Sequence, residues 1–384
     1  MKESIIDRCN LWLPDAQSSR VTGQSLASTI YDFPLTIGIS GSLGAGKTTV
    51  LQGFFRALGI SEHVTSPTYA LEQRYSIGNW PLAIGNSPLE VLHIDLYRLG
   101  ETQARALIDS TLDHTGIRCI EWPERAGVEW LRQQCERMIL IELEETKETK
   151  VAKVTKRQTT LDPLATLAPL DTSKHISNGR ILNISFIDIP LPSRRDIETW
   201  REEVRLPKHI ASHCDAVANF SGGCAKILME RGMIVRPLAL RRSAEVHDLL
   251  RFIDFRAGAA PDGGDRVCQS EEEKHCWASL KKRYRNAHHE EACARFLAEK
   301  GFTSLGRIVA THGLTLGSGA RTTIEQKLLY YDDKRVMVDT VVSLEERFED
   351  FRRRYSNGEK TEQSEQWYEE VKAVERELFP EGAP

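Results

Sequence analysis

The chain lacks the roughly 18 consecutive apolar residues that a membrane helix needs, and its N-terminal run MKESIIDRCNLWLPDAQ has no apolar core long enough for a signal peptide. Its eight cysteines, Cys9, Cys119, Cys135, Cys214, Cys224, Cys268, Cys276 and Cys293, include no CxxC pair. That argues against a zinc ribbon or a disulfide framework and for reduced thiols in a cytoplasmic protein. Charge of one sign is not in excess: 51 basic residues stand against 55 acidic ones, a net charge of −4. No basic field covers the chain, so tight direct binding of nucleic acid is not expected. What is present is a globular composition, 40% hydrophobic and 28% charged, over 384 residues, enough for two domains.

Three regions differ in pattern. From about residue 18 to 143, strand-like runs (LTIGIS, LEVLHIDLY, GIRCIEW, RMILIELEE) alternate with a helical one, TTVLQGFFRALG, as in an α/β domain with a mostly parallel sheet. Residues from about 144 to 178 are charged and then rich in Thr and Pro, the composition of an exposed insertion. The run RILNISFIDI after it reads as a strand that pairs with RMILIELEE across the insertion and closes the first domain near residue 190. From about 195 the apolar spacing of three and four predicts helices, including SAEVHDLLRFIDF and TIEQKLLYYDDKRVMVDTVV, and so an all-α second domain. The expected division is 1–192 and 193–384.

Gly41-Ser42-Leu43-Gly44-Ala45-Gly46-Lys47-Thr48 fits GxxxxGK[ST], followed by Thr49, between the strand LTIGIS and an amphipathic helix. Glycines there let backbone N–H groups turn inward as an anion nest, and the helix N-terminus adds partial positive charge. Lys47 would reach the outer phosphates of ATP and the Thr48 hydroxyl would ligate Mg²⁺. Asp95 ends one strand and Glu121 another. A carboxylate so placed holds Mg²⁺ or orients the attacking water; the alternative is an acid that merely ends a strand. Thr68, in the turn-like Ser66-Pro67-Thr68-Tyr69, suits a γ-phosphate sensor.

The order SLGAGKTT, VTSPTYAL, HIDLYRL, IEWPE resembles the TsaE (YjeE-like) family over residues 14 to 190. The resemblance implies an ATPase that supports threonylcarbamoyladenosine formation in tRNA with TsaB and TsaD partners, tRNA itself being engaged indirectly. It implies P-loop roles for Lys47 and Thr48, a switch role for Thr68, a Mg²⁺ role for Asp95 and a catalytic acid in Glu121.

The helical region carries His213, His247-Asp248, His289, His312 and Asp333. Imidazole with carboxylate suits Mn, Fe, Zn or Ni. Each histidine alone would be structural; in this order they resemble the HD superfamily of metal-dependent phosphohydrolases over residues 196 to 345. The resemblance implies one metal on His213, His247, Asp248 and Asp333, a second site extended by His289 and His312, and a nucleotide or other phosphoester as substrate. Asp332 competes with Asp333, and His288 with His289. Arg251 would meet a substrate phosphate or lie solvated on the surface. The charged stretch after 345 reads as a solvated helical face or a partner surface. The leading expectation is a bifunctional enzyme. The alternative is a nucleotide-gated switch with a degenerate HD scaffold. A small-molecule kinase is a third reading, for which no acceptor site or arginine-bearing lid is visible.

Overall fold

The computed structural model describes residues 5–78, 89–146, 179–255, 270–355 and 358–384. The expected insertion lies outside the described residues from 147 to 178, as does the polar segment 256–269. Contacts divide the chain into two units, Ile6–Ile189 with Ile227–Leu238, and Pro190–Lys226 with Ala239–Pro384.

In the first unit, strand β1 (Asp7–Leu13) alternates buried Asp7, Cys9, Leu11 and Leu13 with exposed Arg8 and Asn10, the period of a half-covered strand. Helix α1 (Ala16–Ala27) is capped by Asp15, whose side chain accepts from Ser18 N at 2.7 Å. Strand β2 (Leu35–Gly41) is buried on both faces over its first five residues, as a central parallel strand must be. There follow α2 (Lys47–Ala57), β3 (Glu72–Ser76), β4 (Glu90–Asp95), α3 (Glu101–Asp109), β5 (Ile117–Glu121), α4 (Val128–Gln134), β6 (Met138–Thr146) and β7 (Gly179–Phe186). The sheet order is β1-β7-β6-β2-β5-β4-β3. Strands β6, β2, β5 and β4 are parallel, while β7 with β1 and, at the other edge, β3 join through antiparallel pairings.

The β6–β7 pairing, from Ile139↔Phe186 to Thr146↔Gly179, joins the two runs expected to meet across the insertion. Strands β1 and β3 were not among the expected ones. They are the edge strands: β3 buries only Tyr75 and takes its order from its partner's backbone, whereas β1 carries an alternating pattern that was missed from sequence. Helices α1 and α2 approach closely through Gly23 and Gly53. A Cβ on either would lie 2.0 Å from a carbonyl oxygen of the other helix.

The second unit is built from α5 (Arg194–Glu203), α6 (Lys208–Glu230, to Lys226), α7 (Pro237–Val246, from Ala239), α8 (Glu271–Arg283), α9 (His289–Glu299), α10 (Thr303–Val309), α11 (Ile324–Lys334), a hairpin of β8 (Val336–Met337) and β9 (Thr340–Val341), α12 (Leu344–Tyr355) and α13 (Glu362–Leu378). Phe252 stacks on Trp277 at 4.7 Å, and Trp200 meets Phe296 and Phe302 edge-on. Two runs expected to be helical throughout are not. The run TIEQKLLYYDDKRVMVDTVV stops being helical at Lys334, where β-branched Val336, Thr340 and Val341 take the hairpin. The run SAEVHDLLRFIDF leaves its helix at Val246, so His247 and Asp248 stand just past a helix end.

A division in sequence at 192/193 also misses residues 227–238, which belong with the α/β unit. Thr22 Oγ1 donates to Gly232 O at 2.6 Å and Ile234 N donates to Ser25 Oγ at 2.9 Å. Fully buried Arg236 donates to Thr29 O and holds both oxygens of Asp188 at 2.7 and 2.6 Å. Helical periodicity says that residues are helical, not which body they pack on. Asp188→Ala would leave a buried guanidinium without its carboxylate, and we expect a loss of about 3–5 kcal/mol in urea unfolding. A loss below about 1 kcal/mol would mean that the pair is balanced from elsewhere.

Candidate functional site

Strand β2 delivers the chain to the loop 42–46, and α2 begins at Lys47. Gly46 takes φ +102°, a backbone state costly for any residue with a Cβ, and this turns the loop into the helix N-terminus. Ser42, Leu43 and Gly44 are exposed, Ala45 is buried, and Thr48 and Thr49 are half-buried. Lys47 Nζ donates to Gly41 O at 2.8 Å and Ser42 O at 3.0 Å and lies 3.9 Å over the Trp122 ring. Burial lowers its pKa, against the pull of Glu121, Glu124 and Asp95. Trp122 follows Glu121 directly with φ +62°, an uncommon left-handed state that aims its ring across the loop.

Asp95 and Glu121 are register partners at the C-terminal ends of adjacent parallel strands β4 and β5, the crevice where α/β sheets bind ligands. Thr48, grouped with Asp95 from sequence, donates to Glu121 at 2.9 and 3.2 Å. Asp95 instead accepts from Ser66 at 2.5 Å, from Thr68 at 2.6 Å and from Tyr97 N at 2.9 Å. The structure therefore forms two pairs, Thr48 with Glu121 and Thr68 with Asp95. His93 was missed from sequence. It is fully buried with Nε2 3.0 Å from Glu121 Oε1, and its ring meets Phe55 edge-on. Its signal was available: it precedes Asp95 by two residues on one strand, hence shares its face.

In the helical unit, His213 comes from α6, His247 and Asp248 from the end of α7, His289 from the start of α9, His312 from the turn after α10 and Asp333 from α11. All six converge. His213 Nε2 is 3.0 Å and His247 Nε2 3.6 Å from Asp333 Oδ1, while His289 Nε2 is 3.0 Å and His312 Nε2 3.6 Å from Asp248 Oδ1. Three Nδ1 atoms face backbone carbonyls: His213 on Val338 O, His247 on Ala244 O and His312 on Val309 O. A carbonyl only accepts, so each Nδ1 donates its proton there and each ring turns Nε2 into the cluster, where it offers a lone pair whenever the ring holds no second proton. His289 Nδ1 lies 2.5 Å from Asp254 Oδ2. The Nε2 atoms of His289 and His312 are 3.1 Å apart, and buried His247 Nε2 has no hydrogen-bond partner among the described residues. Acceptors gathered this way fit a cation.

Three ligand sets have donor atoms within 4.8 Å of one another: His213, His247 and Asp333; His247, Asp248 and His312; and His289, Glu290 and His312. Glu290 was missed from sequence; the HHEE run was its signal. Burial pushes the Asp248 carboxyl up, but His247 and His289 hold it well below the usual carboxylate range. Asp333 is likewise held well below it, Lys334, His213 and His247 outweighing burial. Both are ionised, as ligands must be. Asp332 points elsewhere, to Ser221 and Cys224, and burial raises it to about 7. His288 is exposed at the rim, 3.5 Å from Asp254. Arg251 lines the cavity beside His289.

The nest at a strand–helix junction, its lysine and two strand-end acids define the first unit as a P-loop nucleotide-binding α/β protein. A family model described as threonylcarbamoyl adenosine biosynthesis protein TsaE matches residues 13–156. A tRNA threonylcarbamoyladenosine biosynthesis protein TsaE of Synechocystis sp. is 36% identical over 121 residues, 30% of this chain and 69% of that one. The protein of that name from Nostoc sp. is 34% identical over 120 residues, covering 30% and 68%. That of Streptomyces coelicolor is 32% identical over 151 residues, covering 37% and 95%. The chain belongs to the TsaE family. The family match ends before the helical unit begins.

Replacing His247 and Asp248 together with Ala removes a donor from the first ligand set and two from the second. Elemental analysis of the full chain should show at least one metal ion per chain before the change and a marked loss after it. Unchanged metal content would remove the metal-centre assignment.

Proposed function

We propose that the chain carries two hydrolases. The first is an ATPase supporting threonylcarbamoyladenosine formation in tRNA, with TsaB- and TsaD-like partners in the cytoplasm. The second is a metal-dependent phosphohydrolase of HD type acting on a nucleotide or other phosphoester. Family membership and the Thr48–Glu121 and Thr68–Asp95 pairs support the first reading. For ATP, Lys47 and the loop N–H groups bind the phosphates, and Thr48, Glu121 and Asp95 are the oxygen donors that would hold Mg²⁺. Bound Mg²⁺ supplies charge neutralisation on the transferred phosphoryl group. Glu121, fixed by His93, is placed to orient the attacking water and take its proton. Thr68 ties the segment after α2 to Asp95, so contacts at the γ-phosphate would register in that segment.

One observation carries the second reading: histidine rings with Nδ1 fixed on carbonyls and Nε2 turned onto Asp248 and Asp333. A bound Mn, Fe, Zn or Ni ion supplies Lewis acidity and a more acidic coordinated water. The residues around it bind the substrate. The acids Asp248, Asp254, Glu290 and Asp333 lining the cavity are matched by Arg251, Lys334, Arg347 and Arg352, so each divalent ion makes it net positive and suited to a phosphate.

The decisive experiment uses the full chain: metal content together with hydrolysis of a phosphoester panel. Turnover of a panel member that needs the metal supports the second enzyme; an inactive chain that does not recover on adding Mn²⁺ or Fe²⁺ overturns it. Lys47→Ala should abolish ATP hydrolysis and threonylcarbamoyladenosine formation in a reconstituted system while phosphoester hydrolysis continues. His93→Phe keeps an aromatic ring against Phe55 but frees Glu121. Its kcat for ATP should fall about 10–100-fold with little change in ATP affinity. A parallel loss of affinity would show that His93 only supports the fold.

A further inference from the structure

The cavity over the histidine–carboxylate cluster has a volume of about 410 Å³, the size of a small-molecule site. Arg251 and Lys334 touch the cluster, at His289 and at Asp333. Helices α12 and α13 add a wall to the same cavity through Arg347, Phe351, Arg352 and Trp367. This is the charged C-terminal stretch that sequence alone assigns to solvent or a partner. Two features set the wall apart from a solvated face. The side chains of Arg347 and Arg352 are only 12% and 11% exposed, with Asp350 at 3.4 Å from the first and Glu365 at 3.4 Å from the second. Guanidinium groups held that far from water favour a facing anion. Two half-buried aromatic side chains, Phe351 and Trp367, line the cavity with them. Arg347 sits 4.2 Å over the Phe351 ring, and buried Phe348 backs Phe351 edge-on at 5.4 Å.

We infer that the α12–α13 wall recognises a planar ring, so that the second site takes a phosphoester bearing a nucleobase, a nucleoside monophosphate. This rests on the phosphohydrolase reading of the cluster. The phosphate lies at the cluster with Arg251 and Lys334, and the base packs against Trp367 and Phe351. Base stacking on aromatic side chains is tolerant of base identity, so the wall selects for a ring more than for one base. The reaction is hydrolysis: water attacks phosphorus, the ester P–O bond breaks, and the leaving oxygen takes a proton to give nucleoside and inorganic phosphate.

The test uses the full chain with Lys47→Ala, which silences the ATP site, loaded with Mn²⁺. Hydrolysis of AMP, p-nitrophenyl phosphate and glycerol phosphate is compared, and AMP binding is measured by equilibrium dialysis. AMP should have the highest kcat/KM. Trp367→Leu and Phe351→Leu should each raise the KM for AMP about 10-fold or more and shift that for glycerol phosphate by less than about twofold. The glycerol phosphate arm also shows that each variant is folded. Equal kcat/KM for AMP and glycerol phosphate, or an equal effect of the substitutions on both, would overturn ring recognition. Parity of p-nitrophenyl phosphate with AMP would overturn the nucleotide assignment. Hydrolysis of no ester, with AMP binding that Trp367→Leu weakens, would end the hydrolase reading and leave the wall's recognition of AMP standing. Absence of both hydrolysis and binding would overturn the inference itself.

Discussion

A carboxylate buried at the end of a strand or helix must be met by donors or cations, and both units are organised around that requirement. In the α/β unit, Glu121 and Asp95 stand side by side where two parallel strands stop. Each is met by hydroxyls from elsewhere in the chain, Thr48 for one and Ser66 with Thr68 for the other. Those hydroxyls belong to the helix start and to the segment after it, so satisfying two acids fixes the nucleotide crevice. In the helical unit, Asp248 and Asp333 are met by four imidazoles drawn from separate helices, and the same logic fixes a metal-sized cluster.

The two sites differ in what they leave unsatisfied. Around Glu121 and Asp95 hydroxyl donors meet both acids, and Lys47 is held by its own loop's carbonyls and by Trp122. The buried atom there without a hydrogen-bond partner among the described residues is His93 Nδ1, on the ring whose Nε2 meets Glu121. In the helical cluster, backbone carbonyls take the Nδ1 protons and leave lone pairs facing carboxylates, an arrangement that only a cation or added protons can settle. The hairpin after α11 contributes directly. Val338, at φ +60° between its two short strands, supplies the carbonyl that orients His213. The break in helical periodicity is therefore part of the site.

The C-terminal helices show how a surface pattern conceals a pocket wall. Helix α12 carries Arg352, Arg353 and Arg354 in its last turn, and its charge pattern alone suggests solvent. Only with α13 packed beside it do Arg352 and Trp367 line one cavity. Long arginine stems can cover apolar surface while their heads face inward, so charge content is a poor guide to which face is wet.

The sequence by itself determined the P-loop, the alternation of strands and helices, the pairing of the strands flanking residues 147–178, and the candidates for both sites. These signals are local: glycine spacing, period two or 3.6, and acids at the ends of apolar runs. Tertiary structure alone decided that Thr48 faces Glu121, that His93 stands behind it, that Glu290 joins the cluster while Asp332 turns to Ser221 and Cys224, and that residues 227–238 pack with the α/β unit. Those choices rest on contacts between residues far apart in the chain, such as Arg236 with Asp188 and His213 with Asp333. A periodic pattern says which face of an element is apolar; the partner that meets that face is chosen by packing and by the need to pair every buried charge.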